Sequence, residues 1–284
     1  MNNISAIILT YNEEKNIQKC IESIYEIVDE IFIIDSFSSD KTVEIASKYD
    51  KVTVLFNKWV NYSTQFLYGL THAPIKSTWI LRFDADERLT PESAKEIKDL
   101  CDKNKDTDIN GIIIRFKVTF LGKELRHGGI YPLKVLRVFK KAYGTIEATN
   151  MDEHIYLTQG KSIECKHDSL HEDYKDIYTW IDKHNKYSNR EVLDYESSLQ
   201  SKHISTNLDK KASKRRKLKY RLYYKLPPGL RAKLYYIYRY YFKFGFLDGK
   251  EGKYFAFLQA YWYRYLVDIK IYEYRKNGGN NHEA

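Results

Sequence analysis

Short apolar segments alternate with amphipathic segments four times within the first ninety residues of this 284-residue chain. The apolar segments, at 4–10, 30–35, 52–56 and 79–83, are mostly rich in β-branched residues, which is typical of strands buried in a parallel sheet. Apolar residues at spacings of three and four predict a helix over 17–25, and further helices are predicted from 42 and over 62–72. This alternation predicts an α/β fold with a mostly parallel sheet flanked by helices.

Polar residues stand where the predicted strands end. Thr10 ends the first strand, Asp35 ends the second, and Asp84 and Asp86 follow the fourth. Residues i and i+2 of an extended segment project to the same side, so Asp84 and Asp86 can present their carboxylates together. Ligands bind beyond the carboxyl ends of such sheets, and paired carboxylates suit Mg²⁺ or Mn²⁺ bound with a diphosphate. Surface turns are the usual alternative setting for Asp-x-Asp.

Three motifs occur in a fixed order, namely ILTYNEE, IDSFSSDKTVEIA and LRFDADE, and together they resemble glycosyltransferase family 2, the inverting enzymes of the GT-A fold. The later segments LKVLRVFKK, MDEH and DYKDIYTWIDKHNKYS resemble one branch, the bacterial lipopolysaccharide-core β-1,4-glucosyltransferase-like proteins. The resemblance covers residues 1–195 approximately. It implies a GT-A fold with a C-terminal helical extension and a nucleotide sugar as donor, with UDP favoured and glucose as the favoured hexose.

The resemblance also implies a role for individual residues. Tyr11 would lie near the base, Asp35 would hold the uracil or ribose, and Asp84 would touch the ribose or the metal. Asp86 would ligate a Mn²⁺ or Mg²⁺ ion that bridges the diphosphate. The complete donor-binding set is Thr10, Tyr11, Glu13, Asp35, Asp84, Ala85 and Arg137.

A general base and a third metal ligand complete the implied site. Glu153 in the MDEH segment would be the base, with Asp152 as the alternative, and His171 is a candidate ligand beside Asp84 and Asp86. An acceptor hydroxyl is a poor nucleophile until a carboxylate takes its proton. A single base on the face opposite the leaving diphosphate gives inversion, and a metal neutralises the charge on that leaving group.

Each assignment has a structural alternative. Glu13 could be a favourable charge in the first turn of a helix. Asp35 could merely end a strand, and the segment 152–154 could be an exposed polar turn. His171 could be a hydrogen-bonded surface histidine, and Arg137 could be solvated.

The charge of the chain is concentrated in one segment. Residues 202–243 contain fourteen Lys or Arg and one acid, so this segment carries +13 in a chain of net charge +9. Many tyrosines are interleaved with these basic residues, which fits a helix lying on an anionic membrane surface. Nucleic acid is a less favoured partner for the same features. Packing of the tyrosines on the catalytic domain is the structural alternative.

Composition and charge predict the domain boundaries and the cellular location of the protein. The sequence predicts a catalytic domain over 1–200, a basic aromatic helical extension over 201–276 and a flexible tail over 277–284. Three widely spaced cysteines indicate a reducing cytosol, and no leader or membrane-spanning apolar run is recognised. The expected location is therefore cytoplasmic, peripheral to the inner face of the membrane, where a lipid-linked or lipopolysaccharide-type acceptor would be met.

Three other functions remain alternatives at this stage. A sugar-nucleotidyltransferase would also combine an α/β sheet, a metal and a nucleotide, but it should show a Gly-rich loop that residues 10–15 lack. A nucleic-acid-binding protein would use the basic segment 202–243 and would bind in a salt-sensitive manner. A family member without turnover would bind a nucleotide sugar only, although the carboxylates needed for turnover are present.

Overall fold

A computed structural model describes residues 3–147, 154–200 and 223–278, which form two compact units. The predicted boundaries at 200 and 276 stay predictions. Within the part of the chain that the structure describes, no helix is both long enough and apolar enough to cross a lipid bilayer. The first unit comprises the described residues 3–119, 132–147 and 154–174, and the second comprises 120–131, 175–200 and 223–278.

The strands and helices are numbered along the chain. The strands are β1 (Ile4–Thr10), β2 (Glu30–Asp35), β3 (Val52–Phe56), β4 (Trp79–Asp84), β5 (Glu87–Arg88), β6 (Ile109–Phe120), β7 (Lys123–Leu125), β8 (Leu133–Lys140), β9 (Gly144–Ile146), β10 (Ile155–Leu157) and β11 (Lys161–His171). The helices are α1 (Ile17–Ile24), α2 (Thr42–Ala46), α3 (Tyr62–His72), α4 (Pro91–Lys103), α5 (Ile177–Gln200), α6 (Leu230–Ile237), α7 (Gly249–Phe255) and α8 (Tyr263–Lys276). Short 3₁₀ turns lie at Tyr223–Lys225 and Gly245–Asp248, and π-helical stretches at Tyr238–Phe242 and Ala256–Trp262.

The sheet of the first unit has the strand order β3-β2-β1-β4-β8-β6-β11-β5. Its first four strands are parallel to one another, and β6 is parallel to β11. Strand β8 runs antiparallel to β4 and β6, and β5 runs antiparallel to β11. The predicted α/β class with C-terminal helices is therefore confirmed. The antiparallel insertion of β8 was not predicted, because it joins segments that are distant in sequence.

The core of the first unit lies on both faces of this sheet. Alternate residues of β1 point to opposite faces, so Ile8 packs with α1 while Ile7 packs with α3. The apolar residues that predict α1 are buried, including Ile17 and Ile21. Helix α3 approaches β2 closely at Gly69, where an added Cβ would lie 2.9 Å from Cγ1 of Ile34. Glycine at this position lets the helix lie directly on the strand.

Buried ion pairs and a small apolar cluster join the helices of the second unit. The cluster is formed by Val192, Tyr195, Tyr263, Val267 and Ile271, which lie on α5 and α8. Glu191 accepts hydrogen bonds of 2.7 Å from the Tyr263 hydroxyl and from Nη1 of Arg264. Buried Asp268 likewise accepts a 2.7 Å bond from Nε of Arg231. Part of the basic, tyrosine-rich sequence is thus paired or packed within its own unit.

We expect His184 to make the stability of the second unit depend on pH. Its ring stacks on Trp180 with the ring centroids 3.5 Å apart, and burial lowers the pKa of His184 to about 4. The unfolded chain binds this proton more readily, so the free energy of unfolding should fall by about 1–2 kcal/mol as the pH drops from 7 to 5. Urea unfolding at several pH values measures this slope. A His184→Phe variant keeps a ring there and should show a smaller slope; an equal slope would contradict the assignment.

Candidate active site

Strand register brings the polar strand ends to one edge of the sheet. Thr10 lies opposite Asp35 on β2, and Leu9 lies opposite Asp84 on β4. Because β1, β2 and β4 are parallel, their carboxyl ends meet at the same edge. Thr10, Asp35 and Asp84, all predicted to bind the donor, are therefore close together, while their roles stay predictions.

The carboxylate of Asp35 holds two loops together at this edge. It is fully buried and accepts hydrogen bonds from the Thr10 hydroxyl at 2.7 Å, from the Ser38 amide at 2.7 Å and from the Ser38 hydroxyl at 2.6 Å. A carboxylate offers about four lone-pair positions. Asp35 thus braces the loops, and because it is fully buried its predicted contact with the uracil or ribose stays a prediction.

Two non-glycine residues in left-handed backbone conformation shape the loops after β1 and β2. Asn12 has φ of 54° and Phe37 has φ of 61°. The Asn12 side chain offsets the strain of its backbone by accepting a 2.9 Å hydrogen bond from the Ser39 amide. The backbone amide of Asn12 donates to the Ser38 hydroxyl. Tyr11, beside Asn12, has an exposed ring. Strained backbone of this kind is frequent at binding sites.

Glu13 lies before α1, which begins at Ile17, and has partners within the protein. The Glu13 backbone amide donates to the Thr42 hydroxyl at 2.7 Å, and the Glu13 carboxylate accepts from Nδ2 of Asn16 at 2.8 Å. The first turn of α1 contains no acidic residue, so the structural alternative for Glu13, a favourable charge in the first turn of a helix, is wrong. Its predicted contact with the donor remains a prediction.

Asp84 is embedded in a network of charges with Arg137 and Glu87. Arg137, on β8, forms ion pairs with both carboxylates, and Nη2 of Arg82 lies 3.7 Å from Oδ1 of Asp84. Burial opposes ionisation, but the guanidinium groups of Arg137 and Arg82 outweigh it and lower the pKa of Asp84. Asp84 is therefore held as an anion in a fixed position. These partners indicate that Arg137 positions Asp84, while its predicted contact with the donor stays a prediction.

Glu87 is a buried carboxylate that no sequence motif assigned to the site. It accepts hydrogen bonds from Nε of Arg137 and from the Asp84 amide, both at 3.1 Å. Burial, reinforced by the charge of Asp84, raises the pKa of Glu87 to about 7 against the opposing effect of Arg137. In the sequence, the one indication that Glu87 belongs to the site is its place directly after Asp86. Its burial could not be predicted, because it depends on β8.

The side chain of Asp86, just before β5, pairs with the side chain of His171 at the end of β11. Nε2 of His171 lies 3.3 Å from Oδ2 of Asp86, and the Glu172 amide donates to the Asp86 carbonyl at 2.8 Å. This proximity follows from the antiparallel pairing of β5 with β11, in which His171 is opposite Glu87. Ala85, predicted to lie at the donor, is buried between the two aspartates. The structure thus brings into contact two of the three residues predicted as metal ligands, Asp86 and His171.

The donor set at this edge fits a hard divalent ion that also takes substrate oxygens. Across 3–147, 154–200 and 223–278, no group of three or more His, Cys, Asp or Glu has the geometry of a complete protein metal site. Mg²⁺ and Mn²⁺ sites of nucleotide enzymes need few protein ligands, because phosphates and waters fill the remaining positions. Asp86 with His171, and Asp84 beside them, meet this smaller requirement.

A second set of contacts fixes the end of β11 against the site. Arg88 forms a 3.0 Å ion pair with Glu172 and lies with Cζ 4.5 Å from the centre of the Tyr174 ring. Asn16 donates to Asp173 at 3.0 Å and accepts from the Tyr174 amide at 3.1 Å. These contacts hold His171 in register with Asp86. They join three distant segments, so no local pattern could have predicted them.

The predicted base residues, Asp152 and Glu153, lie outside the described residues. Strand β9 pairs with β10, the Glu147 amide donates to the His154 carbonyl at 3.1 Å, and Nδ1 of His154 lies 3.6 Å from Oε2 of Glu147. Both candidate bases fall between β9 and β10 in the sequence, and their roles stay predictions.

Comparison with known proteins finds several glycosyltransferases among the relatives of this chain. An uncharacterized glycosyltransferase of Rickettsia bellii (strain RML369-C) is 41% identical over 95 residues, which cover 34% of this chain and 31% of that relative. An uncharacterized glycosyltransferase of Rickettsia typhi (strain ATCC VR-144 / Wilmington) is 27% identical over 203 residues, 68% of each chain. The lipopolysaccharide core biosynthesis glycosyltransferase LpsC of Rhizobium meliloti (strain 1021) is 36% identical over 90 residues, 30% of this chain and 32% of LpsC.

Among solved structures, residues 1–349 of S. aureus TarS align with 98% of this chain and 93% of theirs, at a TM-score of 0.44 and 11% identity. The glucosyl-3-phosphoglycerate synthase of Mycobacterium tuberculosis, solved with Mn²⁺ and UDP, aligns with 41% of this chain and 44% of its own at a TM-score of 0.32 and 20% identity.

The family model described as glycosyl transferase family 2 matches residues 5–160, more than half of the chain. This range includes the strand ends that gather Thr10, Asp35 and Asp84, and it includes the β9–β10 hairpin. The resemblance inferred from the three ordered motifs is confirmed, and the chain belongs to glycosyltransferase family 2.

Proposed function

We propose that this glycosyltransferase moves a hexose, with glucose favoured, from a UDP-sugar to a hydroxyl of a lipopolysaccharide-type or other lipid-linked glycan, with inversion at the anomeric carbon. The observation that carries the proposal is the meeting of Thr10, Asp35 and Asp84 at one sheet edge, beside the Asp86–His171 pair. The similarity to LpsC over 90 residues supports the choice of acceptor class. The reaction would then take place at the inner face of the cytoplasmic membrane.

The nucleotide would bind along the loops that follow β1 and β2. Asp35 has one accepting position left after its bonds to Thr10 and Ser38, but it has no exposed surface, so the loops after β1 and β2 would have to open for a uracil N–H or a ribose hydroxyl to reach it. The exposed ring of Tyr11 can stack on the base. Asp84, held as an anion by Arg137, can accept from the ribose without moving.

The diphosphate would lie at Asp86 and His171. When bound there with Asp84 nearby, Mn²⁺ or Mg²⁺ would neutralise the charge that develops on the departing nucleotide diphosphate. The protein's own contribution is to fix the ligand positions: β5 and β11 hold Asp86 and His171 in register, and Arg137 fixes Asp84. The sugar carbon would then face the acceptor hydroxyl from the side opposite the diphosphate.

Either Glu153 or Asp152 would take the proton of the acceptor hydroxyl. A Glu153→Gln variant should keep its affinity for the donor and lose transfer by about a hundredfold or more, because only the proton-accepting group changes. Donor affinity and transfer rate are measured separately, by calorimetry and by product formation. If Asp152→Asn produces this split and Glu153→Gln does not, the base is Asp152.

A panel of nucleotide sugars tests the proposed function directly. Binding and hydrolysis of each donor are measured with Mn²⁺, with Mg²⁺ and with a chelator. Metal-dependent activity with one UDP-hexose is the expected result. Activity with a donor of another nucleotide would correct the assignment of Asp35 to uracil, and absence of binding to every donor would overturn the proposal.

A further inference from the structure

Five large apolar side chains are exposed within seven consecutive residues of the second unit. We call residues 241–247 the aromatic loop. Its most exposed members are Phe242, 71% exposed, and Leu247, 58% exposed. The exposed set consists of Tyr241, Phe242, Phe244, Phe246 and Leu247. Scattered apolar residues are normal on a surface, but a contiguous apolar patch marks an interaction site.

The aromatic loop is held in place by the protein backbone. The Lys243 amide donates to the Tyr238 carbonyl at 2.9 Å, and the Lys243 carbonyl accepts from the Gly128 amide at 2.8 Å. The Gly128 carbonyl in turn accepts from Nε of Arg239 at 2.6 Å. At Gly245 an added Cβ would lie only 2.9 Å from the Arg239 carbonyl. The exposure of the apolar side chains is therefore a fixed feature of the fold.

The exposed charged side chains next to the aromatic loop are positive. Lys243, Lys250 and Lys253 are exposed. Of the acids in the same stretch, Asp248 is buried and accepts from the amide of His127 at 2.8 Å, and Glu251 lies 3.5 Å from Nζ of Lys123. The surface thus presents apolar rings together with uncompensated lysines.

We propose that the aromatic loop inserts into the interfacial region of a lipid bilayer that contains anionic lipids. Aromatic and leucine side chains bury their area among the acyl chains near the headgroups, while lysines beside them contact the anionic headgroups. Leu247 offers neither a polar group nor an aromatic ring on which a base or a sugar could stack. The inference goes beyond the transfer reaction and locates the membrane contact predicted for 202–243 in residues 241–247 with Lys250 and Lys253.

Vesicle binding tests this inference without any donor or acceptor, so its failure is distinguishable from failure of the proposed function. The full chain is sedimented with vesicles of equal parts phosphatidylglycerol and phosphatidylcholine. The double variant Phe242→Ser, Leu247→Ser should lower the partition coefficient by about tenfold or more, since each buried apolar side chain contributes over 1 kcal/mol. The matched control is Tyr272→Ser, which removes a side chain 67% exposed on α8 and should leave binding unchanged.

A fluorescent probe distinguishes insertion from other ways of covering the loop. The three native cysteines are buried, which raises the pKa of each thiol, so a Leu247→Cys variant can be labelled selectively. An environment-sensitive dye at this position should shift to shorter wavelength on anionic vesicles, and a dye at Tyr272→Cys should not shift. A concentration-dependent shift without vesicles would assign the loop to a second copy of the chain. That result, or equal vesicle binding by the double variant, would overturn the inference.

Discussion

Replacing Asp86 with alanine is expected to lower kcat/KM for sugar transfer by about 10³-fold, the size of effect seen when a group that stabilises developing charge is removed. Asp86 lies 3.3 Å from His171, and these two side chains are the pair best placed to hold a divalent ion. The free energy of unfolding should change little, because removal of this carboxylate also relieves its repulsion with Glu87. Transfer is measured across a Mn²⁺ titration, and unfolding is measured in urea.

A second acid provides the control for that result. Asp99 lies on the exposed side of α4, and an Asp99→Ala variant should keep the activity and the metal dependence of the unmodified protein. His171→Ala should weaken the response to metal in the same direction as Asp86→Ala. Full, metal-dependent activity in Asp86→Ala would show that the diphosphate binds elsewhere.

Replacing Arg137 with methionine should lower the free energy of unfolding of the first unit by about 3–5 kcal/mol, the cost of breaking a buried ion pair from one side. Arg137 is buried, and its two partners, Asp84 and Glu87, would be left without their main positive charge. Arg137→Lys should recover only part of the loss, because an ammonium group cannot contact both carboxylates with the geometry of a guanidinium. Urea unfolding followed by tryptophan fluorescence measures both variants.

Arg115 provides a matched control for the effect of burial. It also contacts two carboxylates, Asp168 at 3.0 Å and Glu164 at 3.4 Å, but its side chain is 25% exposed. An Arg115→Met variant should therefore cost less than about 1 kcal/mol, as other solvent-screened pairs do. Equal losses at Arg115 and Arg137 would show that burial does not set the energy of the Arg137 network.

Local sequence patterns were sufficient for the first four strands and for the helices between them. Their signals, β-branched runs and spacings of three and four, act over short stretches of chain and are little altered by the rest of the fold. Strand β8 could not be found in this way, because its place depends on pairing Ile80 with Phe139 and Gly111 with Phe139. The family assignment now also separates this chain from the nucleotidyltransferases considered as an alternative.

For the candidate site, sequence reasoning found the groups at the strand ends and missed the groups that hold them. Thr10, Asp35, Asp84 and Asp86 follow strands, so their convergence is a consequence of parallel pairing. Glu87 stood in the same motif and Arg88 directly follows it, but their partners Arg137 and Glu172 are set by long-range strand contacts. The left-handed conformation at position 37 could not be predicted, because the residue there is Phe37 and not glycine.

The pairing of β5 with β11 has a consequence for the order in which the chain acquires its activity. Arg88 and Glu172, which close this pairing, are 84 residues apart in sequence. During synthesis the aspartates therefore leave the ribosome well before the histidine that contacts them. A nascent chain that already contains both aspartates still lacks His171, and the proposed diphosphate site is completed only once β11 has joined the sheet.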